Sequence, residues 1–275
     1  TIWQAKRKAP DLIILPPHHG LYQEYSRKVN AIYGQYTDLV EPFGIDESWL
    51  DITGSMHLFG GDGKAIADQL RDRLRQELGL TISVGVSFNK VFAKLGSDLK
   101  KPDATTVIPP EGWQDIVWPL PVGDLLGVGG STRRLLHQYG VETIGQLAEF
   151  PRQNLETLLG KHGAQLHDYA NGLENSPVRP QHEAEPVKSV GNGTTFPRNL
   201  TRWEEVRSGL AVLSDSVAGR LRRYGMYCGG VALTIRNAQF RQFSRQMRLD
   251  SPTHLQKDIY RAALALAQQS WHAPD

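Results

Sequence analysis

Apolar residues recur along this chain at helical and strand periods in turn. From Leu21 to Leu39 they fall at Leu21, Tyr25, Val29, Ile32, Tyr33, Tyr36 and Leu39. Steps mostly of three and four predict an amphipathic helix. Ile66, Leu70, Leu74 and Leu78 predict a second helix over 62–78, with a charged opposite face and Gly79 as its stop. Residues 89–99 predict a third, ended by Lys101-Pro102, and residues 1–9 a short one stopped by Pro10. Between them lie shorter apolar runs. Leu12–Leu15 has the length of a strand and is closed by Pro16-Pro17; Thr81–Ser87 alternates β-branched and small residues; residues 40–53 read as two strand-like pieces around a bend. His18 and His19 read as a polar loop. Helices alternating with strands predict a sheet with helices packed on it.

The character changes after Pro110. Residues 120–172 carry helical patterns broken by Gly and Pro, with no convincing strand. Residues 171–186 are polar, hold Pro177, Pro180 and Pro186, and read as a linker. From Val187 the order becomes strand, helix, strand, strand, helix: 187–196, 204–224, 230–236, 239–249 and 253–269. No internal repeat is visible.

Composition narrows the class. Hydrophobic residues make up 40% of the 275 and charged residues 22%, which excludes a disordered chain. The longest apolar runs are too short to span a bilayer, and one cysteine, Cys228, rules out a disulfide framework or a multi-cysteine zinc site. No secretory signal opens the chain, so a cytoplasmic protein is expected. The first residues read as a helix already under way, so a fragment of a longer chain is expected. The formal net charge is only +2. Split at the linker, it resolves into −5 for residues 1–187 and +7 for residues 188–275. A basic C-terminal part suits contact with phosphates, although a merely solvated basic domain is about as common.

Two local motifs suggest chemistry. The first is Asp46-Glu47 within Gly-Ile-Asp-Glu-Ser-Trp-Leu-Asp. Adjacent carboxylates on a regular strand face opposite ways, so both serve one site only if the backbone bends, and Gly44 makes a bend plausible. Such oxygens suit Mg²⁺, which binds through one or two carboxylates plus substrate phosphates. On its own, such a pair is more often a solvated acidic turn. The second motif runs from Val122 through Gly127-Val-Gly129 to Arg133-Arg134 and has the form of a helix-hairpin-helix. Its glycines and the following helix N-terminus would present N–H groups to a phosphate, with arginine charge nearby. In the C-terminal part, Arg236, Arg241, Arg245 and Arg248 lie on two candidate neighbouring strands. Arg241, Arg245 and Arg248 share no strict period, so lining one surface would require a bulge.

Together and in this order, three stretches resemble the Y-family, lesion-bypass DNA polymerases, in particular their DNA polymerase IV branch. They are Gly44-Ile-Asp-Glu-Ser-Trp-Leu-Asp51, the longer Ser83 to Pro102 stretch, and Lys188-Ser-Val-Gly. Gly44 stands where the family usually has Ser. The resemblance covers nearly the whole chain. It implies an α+β multidomain, right-hand polymerase: the end of the fingers at 1–15, palm at 16–112, a helix-hairpin-helix thumb at 113–172, a linker at 173–187 and an α/β little finger at 188–275. It implies Asp46 as a metal ligand, Glu47 as the adjacent catalytic and metal-binding carboxylate, and Lys101 as the lysine on the incoming triphosphate. Gly127, Gly129 and Arg133 are implied as thumb contacts to DNA. Lys188, Ser189, Arg245 and Arg248 are implied as little-finger contacts to phosphates.

The activity implied is template-directed nucleotidyl transfer from a dNTP to a primer 3′-hydroxyl, at low fidelity and past damaged bases. Two Mg²⁺ ions are implied as cofactors, and primer–template DNA and dNTP as partners. A sliding clamp would be reached through a segment beyond Asp275; no membrane is expected. The family's first metal-binding Asp and its ribonucleotide-excluding aromatic lie upstream of what Thr1 begins, and a last little-finger strand lies beyond the C-terminal helix. The expectation is therefore that these 275 residues alone do not extend a primer. The rival reading is a non-catalytic, polymerase-like DNA-binding adaptor in DNA repair. Retention of Asp46, Glu47 and Lys101 argues against it.

Overall fold

In the computed structural model, which describes residues 1–183 and 187–271, the helix periods become helices, although the one expected over Leu21–Leu39 stops at Tyr33, and the strand-like runs divide. The chain forms two compact units, Thr1–Ala184 and Glu185–Asp275.

In the first unit, α1 (Ile2–Lys8) starts from a Thr1 capping box, and α2 spans His19–Tyr33. A hairpin follows, with β1 (Val40–Pro42) antiparallel to β2 (Ser48–Leu50) in the register Val40↔Leu50, Glu41↔Trp49, Pro42↔Ser48. Helix α3 (Gly63–Leu78) is capped by Asp62 and ends in a left-handed Gly79. Ile66, Leu70 and Leu74 of α3 bury against Ile32 and Tyr36, with Leu50 and Ile52 packed alongside. Then come β3 (Val84–Val86), α4 (Lys90–Leu99) and β4 (Thr105–Val107), with β3 and β4 parallel. This is a βαβ crossover through α4. Asn89 caps α4 by accepting from the Phe92 amide at 2.8 Å. At Gly85 the backbones of β3 and α4 touch: a Cβ there would lie 1.8 Å from the Ala93 carbonyl oxygen. That contact fixes how α4 is held, and α4 carries most of the site described below.

Two strand expectations fail here. Leu12–Leu15 is not a strand; its side chains are exposed, Ile13 by 82%. β-propensity forms a strand only where a partner completes the ladder, and none pairs with it among the described residues. The strand expected over 81–87 shrinks to three residues. Its partner β4 gave no sequence signal, being three residues set between Pro102 and Pro109.

Residues 113–170 form α5 (Trp113–Val117), α6 (Gly130–Gln138), α7 (Ile144–Glu149), α8 (Arg152–Leu159) and α9 (Lys161–Ala170). Their apolar faces share one core with Val91, Phe92 and Leu95 of α4. The element before the Gly127 turn is a single 3₁₀ turn, Val122–Asp124, rather than the helix expected there.

Much of the stretch read as a linker, 173–187, is held in place. The Lys90 amide donates to Glu174 Oε2 at 3.3 Å, and Gln181 donates from its amide to Asp38 at 3.0 Å and from its side chain to Asn30 at 3.3 Å. Residues 184–186 of that expectation lie outside the described residues.

In the second unit, α10 (Trp203–Arg223) and α11 (Gln256–Gln268) pack on an antiparallel hairpin of β5 (Cys228–Arg236) and β6 (Gln242–Thr253). Val231 and Leu233 face the helices, with Val206, Leu210, Ala263 and Ala267 opposite. The strand expected over 187–196 is instead extended chain without a ladder. It is tied to α10 by Arg220 donating to the Gly191 carbonyl at 2.7 Å and Asn192 donating to Ser216 at 2.9 Å. Gly191 and Gly193 offer no side chains to pack on a sheet, and α10 satisfies part of this backbone instead. Residues 272–275, the end of the region read as the little finger, lie outside the described residues.

Candidate active site and nucleic-acid interface

The bend that the acidic pair requires is present. Residues 43–47 close the β1–β2 hairpin, the Phe43 amide donates to the Glu47 carbonyl at 2.7 Å, and Gly44 takes φ +100°. That conformation is strained for residues with a side chain, which accounts for glycine at this position. Asp46 is exposed at the turn and Glu47 half-buried beside it.

Helix α4 lies against this hairpin. The Trp49 indole donates to the Lys90 carbonyl at 2.9 Å. Two lysines one turn apart on α4 reach two glutamates of the hairpin. Lys90 Nζ donates to Glu41 Oε2 at 2.6 Å, and Lys94 Nζ donates to Glu47 Oε1 at 2.9 Å. Glu41 is buried and accepts twice more, from the Arg179 amide at 2.9 Å and its guanidinium at 3.1 Å. Burial pushes the Glu41 carboxyl up, but the Lys90 and Arg179 hydrogen bonds outweigh it and hold its pKa below the usual range.

Lys94 is shared: it also donates to Asp98 Oδ2 at 2.7 Å. Asp98 in turn pairs through Oδ1 with Lys101 Nζ at 2.5 Å. Positions 94, 98 and 101 are spaced by four and three, so one helical face runs from the acidic bend to Lys101 just past the helix end. Burial pulls the Lys94 pKa down, but Asp98 and Glu47 raise it on balance. Burial pushes Asp98 up, and Lys101 and Lys94 bring it below its ordinary value. Glu47 and Lys101, singled out from sequence, are thus joined through two residues that were not. A lysine and an aspartate four apart on a helix read as a surface pair, and nothing in the sequence shows that Lys94 also meets a residue 47 positions away.

The donor set suits a hard cation in part. Two adjacent carboxylates are what Mg²⁺ needs when substrate phosphates complete its shell. Among the described residues no group of three or more His, Cys, Asp or Glu forms a metal cage by itself.

At the second motif, Gly127 takes φ +91° and Gly129 a negative φ at the N-cap of α6. The Gly129 amide is not presented outward; it donates back to the Gly127 carbonyl at 3.2 Å. The Gly127 carbonyl also contacts His162 Nε2 at 3.1 Å. The open amides are those of the first turn of α6, from Gly130 onward, where a helix has no internal acceptors and no side chain caps this one. Arg133 lies along Gly123, with its Cδ 2.8 Å from where a Cβ would sit, so glycine there makes room for it. Arg133 and Arg134 are exposed.

The β5–β6 register separates the two implied little-finger arginines. Leu233 pairs with Arg245 and Gly230 with Arg248, and the register is regular between them; the irregularity lies between Cys228 and Gly230. Directly paired residues share a face. Arg245, itself exposed, therefore stands on the face that carries Leu233, over the Phe243 ring at 5.7 Å. Arg248 stands on the open face with Thr234, Arg236, Ser244 and Gln246. No bulge brings Arg245 and Arg248 to one surface. Lys188 and Ser189 are exposed on the extended segment. None of Arg133, Arg134, Lys188, Arg245 and Arg248 has a carboxylate partner among the described residues, whereas α3 and α4 are laced with ion pairs. No helix among the described residues is long and apolar enough to cross a membrane.

Comparison with known proteins places this arrangement. Three family models match in chain order: the impB/mucB/samB family over residues 1–98, the thumb domain of DNA polymerase iota over 123–174, and the impB/mucB/samB C-terminal domain over 187–275. DNA polymerase IV of Acetivibrio thermocellus is 45% identical over 272 residues, covering 99% of this chain and 68% of that protein. DNA polymerase IV of Moorella thermoacetica is 38% identical over 271 residues, covering 98% and 67%. DNA polymerase IV 1 of Bacillus subtilis is 38% identical, covering 98% and 65%. The chain thus spans about two thirds of the length of the curated relatives it matches. Among solved structures, a Y-family DNA polymerase chimera superposes with a TM-score of 0.85 at 22% identity, covering 98% of this chain and 76% of that one. DinB from Sulfolobus solfataricus superposes with a TM-score of 0.60, also at 22% identity, with the same coverage. The fold is that of a Y-family polymerase, with a helix-hairpin-helix thumb among its mixed helices and strands. Members of this family are DNA-directed DNA polymerases that copy damaged template, and they use divalent metal ions. On its identity to the polymerase IV proteins over nearly its full length, the chain belongs to the Y-family of lesion-bypass DNA polymerases, in the DNA polymerase IV branch.

Proposed function

We propose that these residues supply the second half of a polymerase metal site, its triphosphate lysine and its DNA grip. The observation that carries the reading is the line of ion pairs Glu47–Lys94–Asp98–Lys101, which joins an acidic bend to a lysine along one face of α4. Asp46 and Glu47 would hold Mg²⁺, two ions in the intact enzyme. When bound, the ions supply Lewis-acid stabilisation of the attacking and leaving oxygens of an in-line displacement. Lys101 neutralises the triphosphate of the incoming dNTP. The amides of the first turn of α6, with Gly127 and Gly129 shaping the turn and Arg133 beside it, hold the backbone of primer–template DNA. Lys188, Ser189 and Arg248 hold phosphates from the C-terminal unit, with Arg245 reaching them only around the strand edge.

The proposed division is the end of the fingers at 1–15, palm at 16–112, thumb at 113–172, linker at 173–187 and little finger at 188–275. The adaptor alternative gains no specific support, because Glu47 and Lys101 are connected rather than scattered. Asp46→Ala, placed in a full-length polymerase carrying this sequence, is expected to lower Mg²⁺-dependent primer extension at least about a hundredfold. Retained extension would overturn the role. For the grip, Arg248→Ala is expected to weaken binding to primer–template DNA and to flatten its salt dependence by about one unit of slope, with a smaller change for Arg245→Ala. Equal effects from the two would contradict the assignment of faces.

A further inference from the structure

We propose that Lys94 is a resident counter-ion for Glu47 that gives the carboxylate up when a divalent cation enters, and that Asp98 is the carboxylate to which it retreats. The inference rests on the reading of Asp46 and Glu47 as metal ligands. It starts from a geometric fact: Lys94 Nζ lies between two carboxylates, 2.9 Å from Glu47 Oε1 and 2.7 Å from Asp98 Oδ2. The Lys94 side chain is only 19% exposed, whereas Glu47 is 34% and Asp98 44% exposed. An ammonium that is partly desolvated is costly to leave unpaired. Lys94 can therefore release Glu47 only because a second carboxylate already holds it. The acceptor is on the same helix one turn along, so the transfer needs a side-chain rotation and no backbone movement.

The other lysine of α4 shows what a permanent pair looks like. Lys90 meets one carboxylate, Glu41, which is buried and saturated by three donors, and Lys90 has no second carboxylate to turn to among the described residues. Of these two α4 lysines, Lys94 is the one shared between two carboxylates, both partly exposed. A cation approaching Asp46 competes with the ammonium for Glu47. A metal ion brings two charges to an oxygen that the lysine holds with one, and in a partly solvated site such a pair is weak enough to yield. In this arrangement Lys94 keeps Glu47 partly neutralised until the cation arrives. Toward Glu47, Asp98 is a positioning residue that acts through Lys94, while its other oxygen holds Lys101.

The test is manganese(II) binding to the 275-residue chain, followed by electron paramagnetic resonance, with circular dichroism to check folding of each variant. Lys94→Met is expected to tighten manganese binding about fivefold, because the competitor is gone. Asp98→Asn is expected to weaken it by about threefold, because Lys94 then stays on Glu47. The double variant separates this from general electrostatics. If Asp98 acts through Lys94, the double variant matches Lys94→Met; if Asp98 is only a nearby negative charge, the two effects add and the double variant falls between. Additive effects, or no tightening in Lys94→Met while Glu47→Gln still abolishes binding, would overturn the proposal alone. Manganese that fails to bind, or that binds equally well to Glu47→Gln, would overturn the site reading and the proposal with it.

Discussion

Two glutamates on one hairpin meet two lysines one turn apart on one helix, and the pairs differ in almost everything else. The Glu41 and Lys90 side chains are 9% and 11% exposed, and Glu41 has a second partner in Arg179. Glu47 and Lys94 are 34% and 19% exposed, and Lys94 divides itself between two carboxylates. Identical chemistry thus gives a fastener in one place and an adjustable contact in the other. A buried pair cannot lose one member without leaving a charge unsolvated. A half-open pair can exchange partners, because water and a neighbour cover the loss. The proposed metal site would use the second kind, with the first holding the hairpin to α4.

Lys90→Met removes the partner of a buried carboxylate and is expected to cost about 3 kcal/mol in chemical denaturation. A cost below about 1 kcal/mol would show that Arg179 alone suffices for Glu41. Gly85→Ala attacks both pairs at once, since its new methyl meets the Ala93 carbonyl and pushes α4 away from β3. A loss of about 1–3 kcal/mol is expected, together with weaker manganese binding. Unchanged manganese affinity would mean that the placement of α4 does not govern the site.

Acid should act on the fastener next. The Glu41 carboxyl has its pKa lowered in the folded protein, so it contributes stability at pH values above its unfolded pKa. That contribution is lost as the pH falls through the lowered folded value. Wild type should therefore lose stability below a pH of about 4.5, and Glu41→Gln should show a flatter profile there. Parallel profiles would remove Glu41 from the account. The smallest effect belongs to the adjustable pair: Lys94→Met should change stability by less than about 1 kcal/mol. A larger loss would make it a second fastener.

The helices were legible in the sequence because their information is local. Asn89 as cap, the apolar stripe of α3 and Gly79 as its stop each act within a few residues. The strands were less so. Leu12–Leu15 and 187–196 have strand composition but no ladder, while β4 has a ladder and no visible pattern, because pairing depends on a partner distant in sequence. At the site, Asp46 and Glu47 stood out by motif and Lys101 by family resemblance, but Lys94 and Asp98 became visible only when the hairpin met α4. Arg245 and Arg248 are the instructive middle case. Their odd spacing already required a bulge if they were to share a surface, and the one irregularity in the ladder lies elsewhere, at Cys228 and Gly230.

The most direct test of the contrast is thermal unfolding of Glu41→Gln and Glu47→Gln, each with and without manganese(II). Glu41→Gln should melt about 5 °C or more below wild type and still be stabilised by the metal. Glu47→Gln should melt within about 2 °C of wild type and gain nothing from it. A Glu47→Gln variant that is strongly destabilised yet still responds to manganese would contradict the account.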